Sequence, residues 1–188
     1  NVRDLIVGYG EIWSSKLLTT AAQERGLAGG AVEWLDARTV VTVEQGPLGP
    51  MVDWARSRAA ISPVAARGGL QIVTGFIAQD KNGAATTLGR NGSDFSGSIF
   101  GALLNAREID IWTDVDGVLS ADPRRVPDAA IIDRLTYNEA MELAYFGAKV
   151  LHPQTMGPAV ANNMPIGIVN TFKPDGAGTL ISAERQHA

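Results

Sequence analysis

Two polar, glycine-rich turns hold the residues whose types and spacing could do chemistry. The first is Thr86-Thr87-Leu88-Gly89-Arg90-Asn91-Gly92-Ser93-Asp94, which opens directly into a helical pattern. The second is Thr113-Asp114-Val115-Asp116-Gly117, at the end of an apolar run and continuing into Asp122-Pro123-Arg124. Strand ends and helix N-termini leave backbone N–H groups unpaired and pointing outward, so the two turns suggest a site for two anionic ligands. Glycines allow close backbone approach, and a helix start favours negative charge. Arg90 could fork onto a carboxylate or a phosphate. Asp94, at the helix N-terminus, stays ionised and could orient a lysine. No Gly-Lys-Ser/Thr follows, so this is not a P-loop. The bland alternative is a capped loop with a surface arginine.

In the second turn, Asp114 and Asp116 could bind magnesium, which takes oxygen ligands. They could equally hydrogen-bond a ribose or an adenine amine, or form an Asx-turn network. Arg124 could sit on a phosphate or in a solvated loop. Lys149, in Phe146-Gly147-Ala148-Lys149-Val150-Leu151-His152-Pro153, suits stabilising negative charge on a transferring phosphoryl group. A snorkelling lysine is the alternative. His152, before a proline, reads as a turn or helix cap. Glu11, in Gly8-Tyr9-Gly10-Glu11, could bind an ammonium group or simply complement a helix dipole.

The elements that must carry these residues alternate between helix and strand. Glu11 to Arg25 reads as an amphipathic helix with Ile12, Leu17, Leu18, Ala21 and Ala22 near one stripe and Gly26 as C-cap. Val32 to Leu35 and Val40 to Val43 read as strands. Gln45 to Pro50 reads as a turn, and Met51 to Ile61 as a helix ended by Pro63. Leu70 to Thr74 is a buried strand. Ala78 to Ala84 suits a hairpin tip, with Ala85 to Leu88 returning. Gly92 to Ala106 is a helix with Phe95, Ile99, Ala102, Leu103 and Ala106 on one face, capped by Ser93 or Asp94. Glu108 to Thr113 is a strand, and 122–133 a Pro-interrupted loop. Tyr137 to Tyr145 is a helix capped by Thr136 or Asn138. Pro153 to Asn162 is a helix with proline at its start, and Pro165 to Asn170 a last strand. The alternation argues α/β with a largely parallel sheet.

The chain has 188 residues, 45% hydrophobic and 19% charged, enough to bury a core. Its formal charge is −4 with no basic run, which argues against nucleic acid as a partner. No apolar run approaches the ~18 residues a membrane span needs. There are no cysteines and only two histidines, so thiolate and His-cluster metal sites are excluded. Asn1 opens the chain without a signal-peptide pattern, and residues 183–188 read as a tail.

In order, Gly75-Phe76, the Thr86–Asp94 turn, Trp112 to Val118, Asp122-Pro123-Arg124 and Phe146 to Pro153 resemble the aspartate kinases of the amino-acid kinase family, over nearly the whole chain. The resemblance implies a three-layer αβα sandwich with a mostly parallel central sheet. It implies transfer of the ATP γ-phosphoryl group to the side-chain carboxylate of L-aspartate, the first step towards lysine, threonine and methionine. Carried over by resemblance, Glu11 would hold the substrate amino group, Arg90 would clamp its α-carboxylate, and Phe76 and Ser93 would line the pocket. Asp94 would organise the catalytic lysines. Thr113, Asp114, Leu119 and Val150 would meet the nucleotide, Arg124 its phosphates, and Lys149 the nucleotide side of transfer. The implied cofactors are ATP and Mg2+, the metal bound mainly through the phosphates and not by a protein site. A homo-oligomer is implied for the full-length protein, in the cytoplasm.

Three departures stand out. The family's opening Lys-Phe-Gly-Gly strand has no counterpart here, nor do its regulatory domains beyond Gly178-Thr179-Leu180-Ile181. Leu119 stands where many members carry a tyrosine near the base. The expectation is a partial catalytic domain, residues 1–182, inactive alone. The alternatives are a kinase for another amino acid or a nucleotide, and a non-catalytic nucleotide-binding or oligomerisation module.

Overall fold

A computed structural model describes residues 2–47, 49–145 and 152–184. The chain divides into two compact units, Asn1–Ser96 and Gly97–Ala188.

The first unit opens with α1 (Val2–Glu24). This helix starts nine residues earlier than its sequence pattern suggests, and it buries only Ile12 and Ala22 of the expected stripe. Gly8, Ile12, Ser15, Thr19 and Ala22 face inward, while Leu17 is 72% and Leu18 59% exposed. The small residues win because they let the helix axis approach closely. A methyl added to Gly8 would lie 2.9 Å from Ile77 Cγ2. The buried hydroxyls are satisfied within the helix: Ser15 Oγ donates to Glu11 O at 2.6 Å and Thr19 Oγ1 to Ser15 O at 2.8 Å. Ser15 Oγ also accepts from Trp34 Nε1 at 2.9 Å. Gly26 follows the helix at φ 63, the left-handed conformation that ends helices.

The strands of this unit form two sheets. β1 (Val32–Leu35) pairs in parallel with β4 (Leu70–Val73). β2 (Thr42–Gly46), β3 (Gly49–Val52), β5 (Ile77–Asp80) and β6 (Ala85–Thr87) form the second sheet, in the order β3-β2-β5-β6. The expected turn at Gln45 to Pro50 is instead a tight hairpin, with Gly46 opposite Gly49. Its return strand takes Met51 and Val52 out of the expected helix. That helix, α2 (Trp54–Ala65), starts at Trp54 because the Asp53 side chain caps it, accepting from Arg56 N at 3.0 Å. Pro63 lies inside it, near the C-terminal end, where few backbone bonds remain to be lost. β5 and β6 form the expected hairpin with a shorter tip: Ala78 to Asp80 belong to the strand, and the turn runs over Lys81 to Ala84.

The helix α3 (Gly92–Leu104) begins in the first unit and runs into the second. Ser93 and Asp94 lie inside its first turn, so neither is the cap that the sequence suggested. Beyond it come β7 (Ile109–Thr113), β8 (Arg134–Thr136), α4 (Tyr137–Tyr145), α5 (Pro153–Ala161), β9 (Ile166–Asn170) and β10 (Thr179–Ser182). The four strands make one sheet in the order β7-β9-β10-β8. Ile109, Leu135, Ile166, Ile168 and Ile181 are its buried core. β8 and β10 were not read from sequence, because three and four residues are too short to show a period. Thr136 caps α4 reciprocally: its Oγ1 accepts from Glu139 N at 3.2 Å, and Glu139 Oε2 accepts from Thr136 N at 2.8 Å. His152 caps α5, its Nδ1 accepting from Gln154 N at 3.3 Å.

The α/β class holds. Among the described residues four strand pairings are parallel and three antiparallel, a smaller parallel majority than the alternation implied. No helix of the described residues is long and apolar enough to cross a membrane.

Candidate functional site

In the first unit, three segments meet at Gly75. The close approach of α1 at Gly8 carries Glu11, one turn further on, to the connection between β4 and β5. A methyl on Gly75 would lie 3.6 Å from Glu11 Oε2 and 3.8 Å from Ser93 Cα and Cβ. Glu11, Gly75-Phe76 and Ser93 are therefore neighbours. Arg90 and Asp94 flank Ser93 on the same loop and helix start. Gly89 at φ 74 and Asn91 at φ 55 turn the chain sharply on either side of Arg90, which is exposed.

Two carboxyl groups of this cluster are shifted by burial. Burial raises the Glu11 carboxyl above its ordinary range, and burial does the same to Asp94. Neither side chain has a hydrogen-bond or ion-pair partner among the described residues, and Arg90 has none either. Partly desolvated, unpaired carboxylates cost stability, and such groups cluster where a cationic partner is expected.

In the second unit, β7 and β9 run parallel with Thr113 opposite Asn170. Asn170 Nδ2 donates to Asp116 Oδ1 at 2.5 Å and Lys173 Nζ donates to Asp116 Oδ2 at 2.7 Å. The Lys173 and Asn170 bonds hold the Asp116 carboxyl below its ordinary range. Thr113 Oγ1 donates to Asp114 Oδ1 at 3.3 Å, and Asp114 is exposed. With Asp116 engaged on both oxygens, the Asp114/Asp116 pair is a loop network and not an open two-carboxylate cation site. Among the described residues no group of three or more His, Asp or Glu could hold a metal ion. Val118 N donates to Thr179 Oγ1 at 2.8 Å, which fixes the end of the turn. Leu119 is half-buried and bridges to Ile131.

Arg124 is exposed and forks onto Asp122, Nε to Oδ1 at 3.0 Å and Nη2 to Oδ2 at 2.8 Å. These bonds bring the Asp122 carboxyl down to about 2. Lys149 and Val150 lie outside the described residues. Sequence reading missed Ser96, Asn170 and Lys173. Only Ser96, two residues past Asp94 on the first turns of α3, carried a positional hint.

The family model described as "Amino acid kinase family" matches residues 1–170. A bifunctional aspartokinase/homoserine dehydrogenase 1 of Zea mays is 44% identical over 181 residues, covering 95% of this chain and 19% of the relative. Among solved structures, Escherichia coli aspartokinase III, in complex with aspartate and ADP, is 36% identical with a TM-score of 0.88. That match covers 98% of this chain and 41% of the other. The aspartate kinase of Clostridium acetobutylicum is 33% identical with a TM-score of 0.82, covering 98% and 40%. The chain thus spans about a fifth of the bifunctional relative and two fifths of these kinases.

Proposed function

We propose that this chain, which belongs to the amino acid kinase family, is part of an aspartate kinase. The observation that carries the reading is the approach of Glu11 to Gly75 and Ser93, at the start of the helix that follows Arg90. Glu11 offers a carboxylate for an ammonium group, and Arg90 offers a guanidinium for an α-carboxylate. That pair suits an amino-acid zwitterion better than a nucleotide acceptor. The similarity to an enzyme solved with aspartate and ADP supports the same reading.

In the proposed reaction, an oxygen of the aspartate side-chain carboxylate attacks the γ-phosphorus of ATP. The new O–P bond forms as the bond to the β–γ bridging oxygen breaks, and ADP leaves with the electron pair. Positioning and charge stabilisation supply the catalysis. Glu11, Arg90, Phe76 and Ser93 hold the amino acid, and Asp94 orients lysine ammonium groups. Thr113, Asp114, Leu119 and Val150 meet the nucleotide. Arg124 exchanges Asp122 for phosphate, and Lys149 takes up charge on the transferring group. Mg2+ would enter on the ATP phosphates and neutralise their charge. The route to lysine, a homo-oligomer and a cytoplasmic location belong to the same reading.

The test is hydroxylamine trapping. The complete protein carrying this sequence, with ATP and aspartate, should yield aspartyl hydroxamate; no hydroxamate overturns the reading. A panel of other amino acids and UMP tests the alternative acceptors. The 188-residue piece alone should give no turnover, and robust turnover would refute that.

A further inference from the structure

We propose that Ser96 is a positioning residue for substrate recognition. Its hydroxyl locks Phe76 in a left-handed γ-turn, and Phe76 supports the loop that presents Arg90, Ser93 and Asp94. The proposal rests on the aspartate kinase reading of this site.

Phe76 has φ 65, a region that bulky L-residues rarely enter. Ile77 N donates to Gly75 O at 2.7 Å, closing a three-residue turn around it. With positive φ at its centre, this is the rare, strained form of the γ-turn. Such strain persists only where the surroundings over-determine it, and it gathers at binding sites. Here both backbone groups of Phe76 are held. Its N–H donates to Ser96 Oγ at 2.8 Å, and its carbonyl accepts from Leu88 N at 2.7 Å. Ser96 Oγ in turn donates to Gly92 O at 2.8 Å. That second bond alone would be an ordinary back-bond within a helix. Accepting the N–H of a residue 20 positions away is what makes this hydroxyl a clamp.

The clamp acts on the recognition loop through the Phe76 ring. A methyl on Gly92 would lie 2.7 Å from Phe76 Cδ2 and 3.1 Å from Leu88 Cβ. The ring therefore fills the space against Gly92, next to Ser93 in the chain. Ser96 is 5% exposed, so water cannot readily replace its hydroxyl. Without it, the Phe76 N–H loses its partner and the turn loses the bond that opposes its strain.

The test uses Ser96→Ala and Ser96→Thr in the complete protein. Ser96→Ala should raise the aspartate KM about tenfold, as expected for one lost hydrogen bond, with the ATP KM unchanged. Ser96→Thr, which keeps the hydroxyl, should restore it. Glycine takes the left-handed conformation freely, so Ser96→Ala should add little in a Phe76→Gly background. An unchanged aspartate KM in an active Ser96→Ala enzyme, or an equal rise in both KM values, overturns the clamp. A wild-type protein inert towards aspartate overturns the substrate reading instead. In that case the clamp is decided by amide hydrogen exchange at Phe76. Faster exchange in Ser96→Ala supports it, and unchanged exchange overturns it.

Discussion

Replacing Glu11 by glutamine tests the amino-acid site with two readouts of opposite sign. The side chain keeps its shape and loses its charge. If Glu11 holds the substrate ammonium, the loss is one charge-assisted hydrogen bond, about 1.5–3 kcal/mol. At 1.4 kcal/mol per factor of ten, the aspartate KM should rise roughly 10- to 100-fold. Stability should move the other way. Burial raises the Glu11 carboxyl above its ordinary value of 4.5, and nothing among the described residues pairs with the ionised form. The folded state thus holds the proton more tightly than the unfolded chain does. That contribution is fully present below the unfolded value and is lost as pH rises through the folded value. At neutral pH the charged carboxylate is a liability that glutamine removes. Urea unfolding at pH 7 should show Glu11→Gln as stable as the wild type or more so, with a flatter profile between pH 4 and 7. An unchanged aspartate KM, or a variant less stable at pH 7, would refute the reasoning.

Three further outcomes follow from the packing. Thr179→Val strands the buried Val118 N–H, since Thr179 is 2% exposed and its hydroxyl is the acceptor. It should cost about 1–3 kcal/mol in urea unfolding, with Thr179→Ser largely restoring the loss; equal stability for all three contradicts the assignment. Gly8→Val drives side-chain atoms into Ile77 and should cost about 1–3 kcal/mol or more, whereas Gly10→Ala, with nothing within 4 Å of its added methyl, should be nearly neutral. Equal effects at the two glycines would mean that α1 does not approach β5 as described. The Asp122 carboxyl, at about 2 chiefly because the Arg124 side chain bonds it, should rise towards its ordinary value of 3.8 in Arg124→Ala without reaching it, since the backbone N–H of residue 124 and the Arg125 charge remain. A carbon chemical-shift titration checks this, and an unmoved midpoint rejects the pairing.

Much of the site was legible in the sequence because its residue types sit in contiguous loops. Gly89 to Asp94 combines positive-φ positions, a cation and a helix start within six residues, and all of these are local properties. The capping of α4 by Thr136 and of α5 by His152 was legible for the same reason. The inward face of α1 was not, because a search for large apolar residues selects Leu17 and Leu18, while close packing selected Gly8, Ser15 and Thr19. The hairpin at Gly46 to Gly49 was hidden because apolar residues after a turn suit either a strand or a helix, and only the pairing with β2 decides between them.

The sequence by itself determined the α/β class, the two chemically equipped turns, and the likeness to aspartate kinases over nearly the whole chain. Periodicity, turn chemistry and motif order are properties of neighbouring residues, so one chain suffices to read them. The tertiary structure alone decided which of those groups are free to act. Among the described residues it left Glu11, Arg90 and Asp94 without partners, and it spent Asp116 on Asn170 and Lys173. It also set the Ser96 hydroxyl against Phe76. Those partners lie 20 to 57 positions apart in the chain. Hydrogen bonds at that separation are chosen by packing, which no local pattern encodes.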